Sequence, residues 1–165
     1  MLSADLVLFL VALPFAVWAT WMDFSAMRLP NRMNLLIAAI FIVVGLFLFP
    51  PLELLTRVGI GMIVLIVGFC FMLINAIGGG DVKYMAAIIP FIAPDRLALF
   101  AVLLACAVIV AYVMHRIVRQ IGFLRNLAPD WKSWTARKFP MGFAISGAWL
   151  LFLGVRAFNL PYLAG

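Results

Sequence analysis

The sequence predicts an all-α fold: a polytopic membrane helix bundle of about six transmembrane helices, the fourth of them short and entered through a glycine and aspartate loop. Two observations carry that expectation. Hydrophobic residues make up 68% of the 165, only 11% are charged, and the mean hydropathy is +1.23, far from a soluble domain, in which about 45–50% of residues are apolar. The apolar residues also run continuously, in stretches near the roughly 20 residues that cross about 30 Å of hydrocarbon. They lack the dyad alternation of membrane β-strands. The polar breaks are short and no internal repeat is present, so residues 1–165 are expected to form a single transmembrane domain.

Residues 4–22 form the first segment. Its start carries Asp5 and no Lys or Arg, and no small-x-small cleavage site follows, so it is expected to be a retained helix rather than a signal peptide. Residues 33–50 and 57–76 follow as the second and third. The fourth, 82–94, has only 13 residues, about 20 Å of helix. If it reaches the outer face at Pro94, its start at Asp81 lies inside the bundle, and the preceding Gly78, Gly79 and Gly80 become non-helical backbone at membrane depth, open to positive φ and close approach. Residues 97–114 and 140–158 complete the set. Between these two lies HRIVRQIGFLRNLAPDWKSWTARKF, in which Ile117, Ile121, Leu124 and Ala128 recur at helical spacing beside basic residues, before Trp131 and Trp134. It is expected to be a helix in the headgroup layer, touching membrane lipid and not nucleic acid.

The twelve basic residues set the orientation. Arg28, Arg32, Lys83, Arg116, Arg119, Arg125, Lys132, Arg137 and Lys138 fall in breaks on one side, and Arg57, Arg96 and Arg156 on the other. The positive-inside rule puts the nine in the cytoplasm and both termini outside.

Cys70 and Cys106 lie in apolar segments and are expected to be buried small hydrophobes rather than zinc ligands. No metal or cofactor site is expected. His115 lacks a serine or cysteine partner motif and reads as an interfacial residue. Of the six acids, Asp5, Glu53, Asp95 and Asp130 sit where water reaches them and are expected to be solvated. Asp23 and Asp81 differ. They are 58 residues apart, yet both fall at the cytoplasmic end of the bundle. A charge near membrane depth costs about 2.5–3.5 kcal/mol on insertion scales and usually serves a partner or a reaction. Either each pairs with a nearby base, or the two face each other across a wet pocket. Like charges held close cannot both ionise; such a pair shares a proton and can activate water while protonating a carbonyl oxygen or a leaving amine.

Gly78-Gly79-Gly80-Asp81-Val82-Lys83 resembles the G-x-G-D-x-K signature of type IV prepilin peptidases, which are intramembrane aspartic proteases. Asp23 followed by Arg28-Leu29-Pro30-Asn31 is similar to the aspartate and basic-(Ile/Leu)-Pro-Asn pattern that precedes that family's second core helix. Phe139 to Trp149, FPMGFAISGAW, resembles the Pro-Tyr-Gly-x-Ala-Ile segment opening its last helix, with Met141 in the tyrosine's place. The resemblance covers nearly the whole chain. It implies that Asp23 and Asp81 are the catalytic pair of a peptidase domain in a prokaryotic inner membrane. The implied substrates are prepilin-like precursors, cut on the cytoplasmic side after a short basic leader, and pilus assembly machinery is a further partner. Only ten residues separate Asp23 from Asn34, without cysteine, so the chain resembles the short branch serving tight-adherence (Flp) pili; cleavage is expected and N-methylation stays open.

Arg28 and Lys83 either tune a carboxylate or snorkel to lipid phosphate. Asn31 is expected to cap the second helix, with site shaping as the alternative. The three glycines would bend the chain and expose a backbone edge for an unwound substrate strand. A small proton- or cation-coupled transporter using Asp23 and Asp81 is the rival reading.

Overall fold

The computed structural model describes residues 3–136 and 138–158. Arg137, one of the nine basic residues above, and the side chain of Leu124 lie outside what is described. The helices in chain order are α1 (Ala4–Ala26), α2 (Asn31–Leu48), α3 (Pro51–Leu73), α4 (Gly79–Ile88), α5 (Leu97–Val118), α6 (Gly122–Leu127) and α7 (Met141–Ala157). No strand occurs among the described residues. By length and composition, α1, α2, α3 and the stretch Pro94–Val118 are long and apolar enough to cross a membrane, and α7 is a shorter apolar helix. The chain is a polytopic helical bundle.

Helix ends follow backbone signals more than polarity. In α1, the Ser3 hydroxyl accepts the N–H of Leu6 at 3.2 Å and Asp5 sits in the first turn, both favourable at a helix start. The helix then runs a turn past the expected boundary, to Met27 in the left-handed region (φ 54), so Asp23 lies within it. Similarly, α3 begins at Pro51 rather than residue 57, because proline suits the first helical position. Glu53 and Arg57 are therefore helical, joined at 2.8 Å across one turn. The buried Arg57 guanidinium also donates to the Pro90 carbonyl at 3.3 Å and lies 4.2 Å from the Phe49 ring centre. Neither it nor Glu53 is a free charge in a polar break.

Asp5 is likewise not simply solvated. Arg156 near the end of α7 donates to it twice, at 3.1 and 3.3 Å. That pair ties the start of α1 to the end of α7, which run antiparallel along each other. Ala12, Ala16 and Ala19 are buried in α1, and small side chains of this kind let membrane helices approach closely. On the other side, α4 packs between α2 and α3. A Cβ on Gly61 would lie 2.9 Å from the Ala86 carbonyl oxygen, and one on Gly68 2.6 Å from Val82 Cγ1; glycine at both positions admits α4.

The stretch after α5 does not form one long interfacial helix. The six-residue α6 stops before Pro129, and a 3-10 turn, Lys132–Trp134, follows, since proline cannot continue an α-helix. Trp131 stacks on Phe24 with ring centres 5.3 Å apart. Trp134, buried, stacks on His115 at 6.1 Å and donates its indole N–H to Ala128 O at 2.7 Å. The tryptophans thus fold over the end of α1. His115, in the last turn of α5, is buried beneath them.

Cys70 and Cys106 are exposed on the outer surface of the bundle, not buried. A lipid-facing position is as apolar as a core position, so hydropathy does not distinguish them.

Candidate active site

Asp23 is 5% exposed, in the last turn of α1. The N-terminus of α7 faces it: the N–H of Phe143 donates to Asp23 Oδ2 at 3.3 Å. Helices leave their first N–H groups without internal partners. Here the residue before α7 is Pro140, which provides no side-chain cap, and a carboxylate from another helix takes that role. The approach demands glycine, because a Cβ on Gly142 would lie 2.9 Å from Asp23 Oδ2 and 3.1 Å from its Cγ.

Asp81 is half-buried in the first turn of α4, where peptide dipoles favour a negative charge. This start to the helix corrects the expected loop. Gly79 and Gly80 are already helical, only Gly78 is extended (φ −69, ψ 136), and no described glycine has positive φ. The left-handed residue is Asn75 (φ 56), just past α3, a side chain that tolerates this region. Lack of volume is what Gly78 and Gly79 contribute: a Cβ on Gly78 would sit 2.7 Å from Asp81 Oδ2 and one on Gly79 2.7 Å from Met72 Sδ, whereas one on Gly80 would make ordinary contact with Leu29 at 3.6 Å.

Asp23 and Asp81 line one cavity of about 550 Å³ at this end of the bundle, and their charges act on each other. Arg28, Asn31 and Gly78 to Gly80 line it too. Lys83 does not. Its ammonium donates to Asn31 Oδ1 at 3.0 Å. Asn31 consequently does not cap α2: Pro30 holds the cap position in extended geometry without a side-chain bond, and Asn31 is the first helical residue. The cavity also takes in Lys138, whose charge acts on Asp81. Lys138 and the Tyr84 hydroxyl, 2.8 Å from that of Ser146 in the buried seam between α4 and α7, were not foreseen. Gly142 and Ser146 carried a signal, their place in FPMGFAISGAW; Tyr84 carried none. Among the described residues no three His, Cys, Asp or Glu side chains converge as a metal site would require.

Two carboxylates opening on one cavity, with cations beside them, suit proton transfer to and from a polarised substrate. The fold and site thus define a helical membrane protein with a paired-carboxylate cavity. Residues 10–114 match the model of the type IV leader peptidase family, and the chain belongs to that family. It is a protease by membership. The match includes Asp23 and Asp81 and stops within α5, before α7. Neither a curated protein nor a solved structure matches the chain.

Proposed function

We propose that the protein is an aspartic endopeptidase that removes the short basic leader of prepilin-like precursors at the cytoplasmic face of a prokaryotic inner membrane, with Asp23 and Asp81 as the catalytic pair. The observation that carries the reading is the cavity shared by these two carboxylates and the glycines of the GGGD stretch. In the reaction, the ionised carboxyl of the pair takes a proton from water as the oxygen attacks the scissile carbonyl, while the protonated one donates to the carbonyl oxygen. Collapse of the tetrahedral intermediate breaks the C–N bond, and a proton passes to the leaving amine. Neither a metal nor a covalent nucleophile takes part.

Arg28 and Lys138 at the cavity rim stabilise the negative charge that remains on the pair. Lys83 and Asn31 brace α4 against the start of α2, which makes them site-shaping residues. The helices act as one peptidase domain, oriented by the excess of basic residues on the cytoplasmic side, and the product passes to pilus assembly.

The test is co-expression with a tagged Flp-type prepilin, following the precursor-to-mature size shift. Asp23→Asn and Asp81→Asn should each abolish processing while the protein still inserts. Asparagine keeps an oxygen to accept the Phe143 N–H, so loss of cleavage without loss of protein isolates the chemistry. Normal processing by either variant, or none by the intact protein, refutes the proposal.

A further inference from the structure

Asp23 stands where a helix by itself holds a carboxylate poorly. It lies in the last turn of α1, a turn without a basic residue, and peptide dipoles oppose a negative charge at that end. The final carbonyls of a helix also lack partners within it, so such turns fray. The Asp23 carboxylate nevertheless meets the Phe143 N–H at 3.3 Å.

Aromatic rings from the segment between α6 and α7 surround that turn. Phe24, next in sequence to Asp23, is their hub: Trp131 stacks on it with ring centres 5.3 Å apart, Phe143 lies at 5.1 Å and Trp134 at 6.5 Å. Trp131 also meets Trp21 edge-on at 5.4 Å, so it touches α1 on both sides of Asp23 in the sequence. Paired rings prefer particular orientations as well as contact, and the segment that carries the tryptophans is itself fixed. Trp131 and Trp134 stack on each other at 5.7 Å, the Trp134 indole donates to the Ala128 carbonyl at 2.7 Å, and Arg119 at the end of α5 donates to the Ala136 carbonyl at 3.3 Å. Two residues further on, Lys138 and Phe139 reach the carboxylate cavity.

Building on the peptidase reading, we propose that this aromatic strap, residues 128–136, positions Asp23 for catalysis, with Trp131 as the residue through which it acts. By stacking on Phe24, Trp131 holds the last turn of α1 against the first turn of α7. That keeps the Asp23 carboxylate within reach of the Phe143 N–H and in the cavity it shares with Asp81. Trp131 does not line that cavity; it is a positioning residue, and its effect reaches the reaction through Phe24 and Asp23.

Trp131→Leu keeps an apolar side chain but no ring to stack, and Trp131→Phe keeps a ring. With a fluorogenic peptide carrying a basic leader, assayed in detergent, Trp131→Leu should lower kcat about 10- to 100-fold, as a displaced catalytic group does, and leave KM within about twofold of the parent. Trp131→Phe should bring kcat back to within about threefold of the parent. Phe24→Leu removes the other half of the stack and should behave as Trp131→Leu does. A second readout needs no activity. Phe143 is the third residue of α7, so its N–H has no partner in its own helix, and its exchange with solvent reports the contact with Asp23. In protein carrying isotopically labelled phenylalanine, the Phe143 amide signal, identified by its absence from Phe143→Leu, should exchange about tenfold faster in Trp131→Leu than in the parent or in Trp131→Phe. Parent-like kcat and exchange in Trp131→Leu and Phe24→Leu, a raised KM at unchanged kcat, or Trp131→Phe as slow as Trp131→Leu overturns the positioning role and leaves the peptidase reading standing. If the intact protein cleaves nothing, the peptidase reading falls and exchange alone decides: faster exchange in the two leucine substitutions keeps the strap's hold on Asp23, and equal exchange overturns that as well.

Discussion

The main-chain N–H of Phe143 donates to Oδ2 of Asp23 at 3.3 Å, across 120 residues of sequence. The contact serves both partners. It supplies the start of α7 with the acceptor that Pro140 lacks, and it sets a negative group where the helix dipole favours one. Asp81 stands in the first turn of α4. Each carboxylate is therefore aimed by the beginning of a helix, and the relation between α4 and α7 governs the relation between the acids.

Gly142→Ala should disable the site without unfolding the bundle. The added Cβ meets the Asp23 carboxylate at 2.9 Å and Leu29 Cδ1 at 3.2 Å, so the carboxylate must shift. A displacement near 1 Å in a catalytic group costs about 100-fold in rate. Gly147→Ala, on the same helix with nothing within 4 Å of the new methyl, should cleave normally. Thermal unfolding and precursor cleavage of both variants decide the matter; equal activity would show that Asp23 does not depend on the close approach of α7.

The Tyr84–Ser146 hydrogen bond, 2.8 Å and buried, should hold α4 and α7 in register. Tyr84→Phe and Ser146→Ala are each expected to lose about 1 kcal/mol of stability. The double variant should lose little more than either single one, with a coupling of about 0.5–1 kcal/mol in a double-mutant cycle. Additive losses would mean that the two hydroxyls act independently.

The parts of the site legible in the sequence are those written in side chains at short range. Asp23 with Arg28 to Asn31, and Gly78 to Asp81, are compact patterns, and the cavity contains both. What α7 adds is written in main-chain N–H groups, which every helix start possesses and no residue type announces. Hydropathy located the helices because lipid and core are equally apolar. For the same reason it misplaced Cys70 and Cys106, which face outward. It also ended α1 and began α3 at polar residues, where the backbone stops instead at Met27 and starts at Pro51. The Glu53–Arg57 spacing of four and the proline before it were available as helix-start signals, and polarity outweighed them.

Arg57 gives a stability test distant from the site. Its guanidinium joins Glu53, the Pro90 carbonyl and the Phe49 ring, and so fastens α3 to the chain that follows α4. Arg57→Ala should lower stability by about 2 kcal/mol, from a lost hydrogen bond to a buried carbonyl and a lost cation–π contact; Arg57→Lys should recover only part, since lysine lacks the planar fork. Chemical denaturation in detergent measures both. An Arg57→Ala protein as stable as the parent would mean that the cluster is neutral, as buried charge pairs sometimes are.

The last prediction concerns pH. If one carboxyl of the pair must be ionised to take a proton from water and the other protonated to donate one, kcat/KM passes through a maximum. Below it both carboxyls are protonated and the base is missing; above it both are ionised and the acid is missing. The two limbs belong to the pair and not to Asp23 or Asp81 singly, because their charges interact. A fluorogenic peptide carrying a basic leader and the first apolar turn, assayed in detergent across pH with circular dichroism to verify that the fold persists, gives the profile. Two limbs, with no measurable activity in Asp23→Asn or Asp81→Asn at any pH, fit the shared-proton scheme. A single limb would leave only one carboxyl in the chemistry, and the second aspartate would then be a residue that shapes or charges the cavity without exchanging a proton.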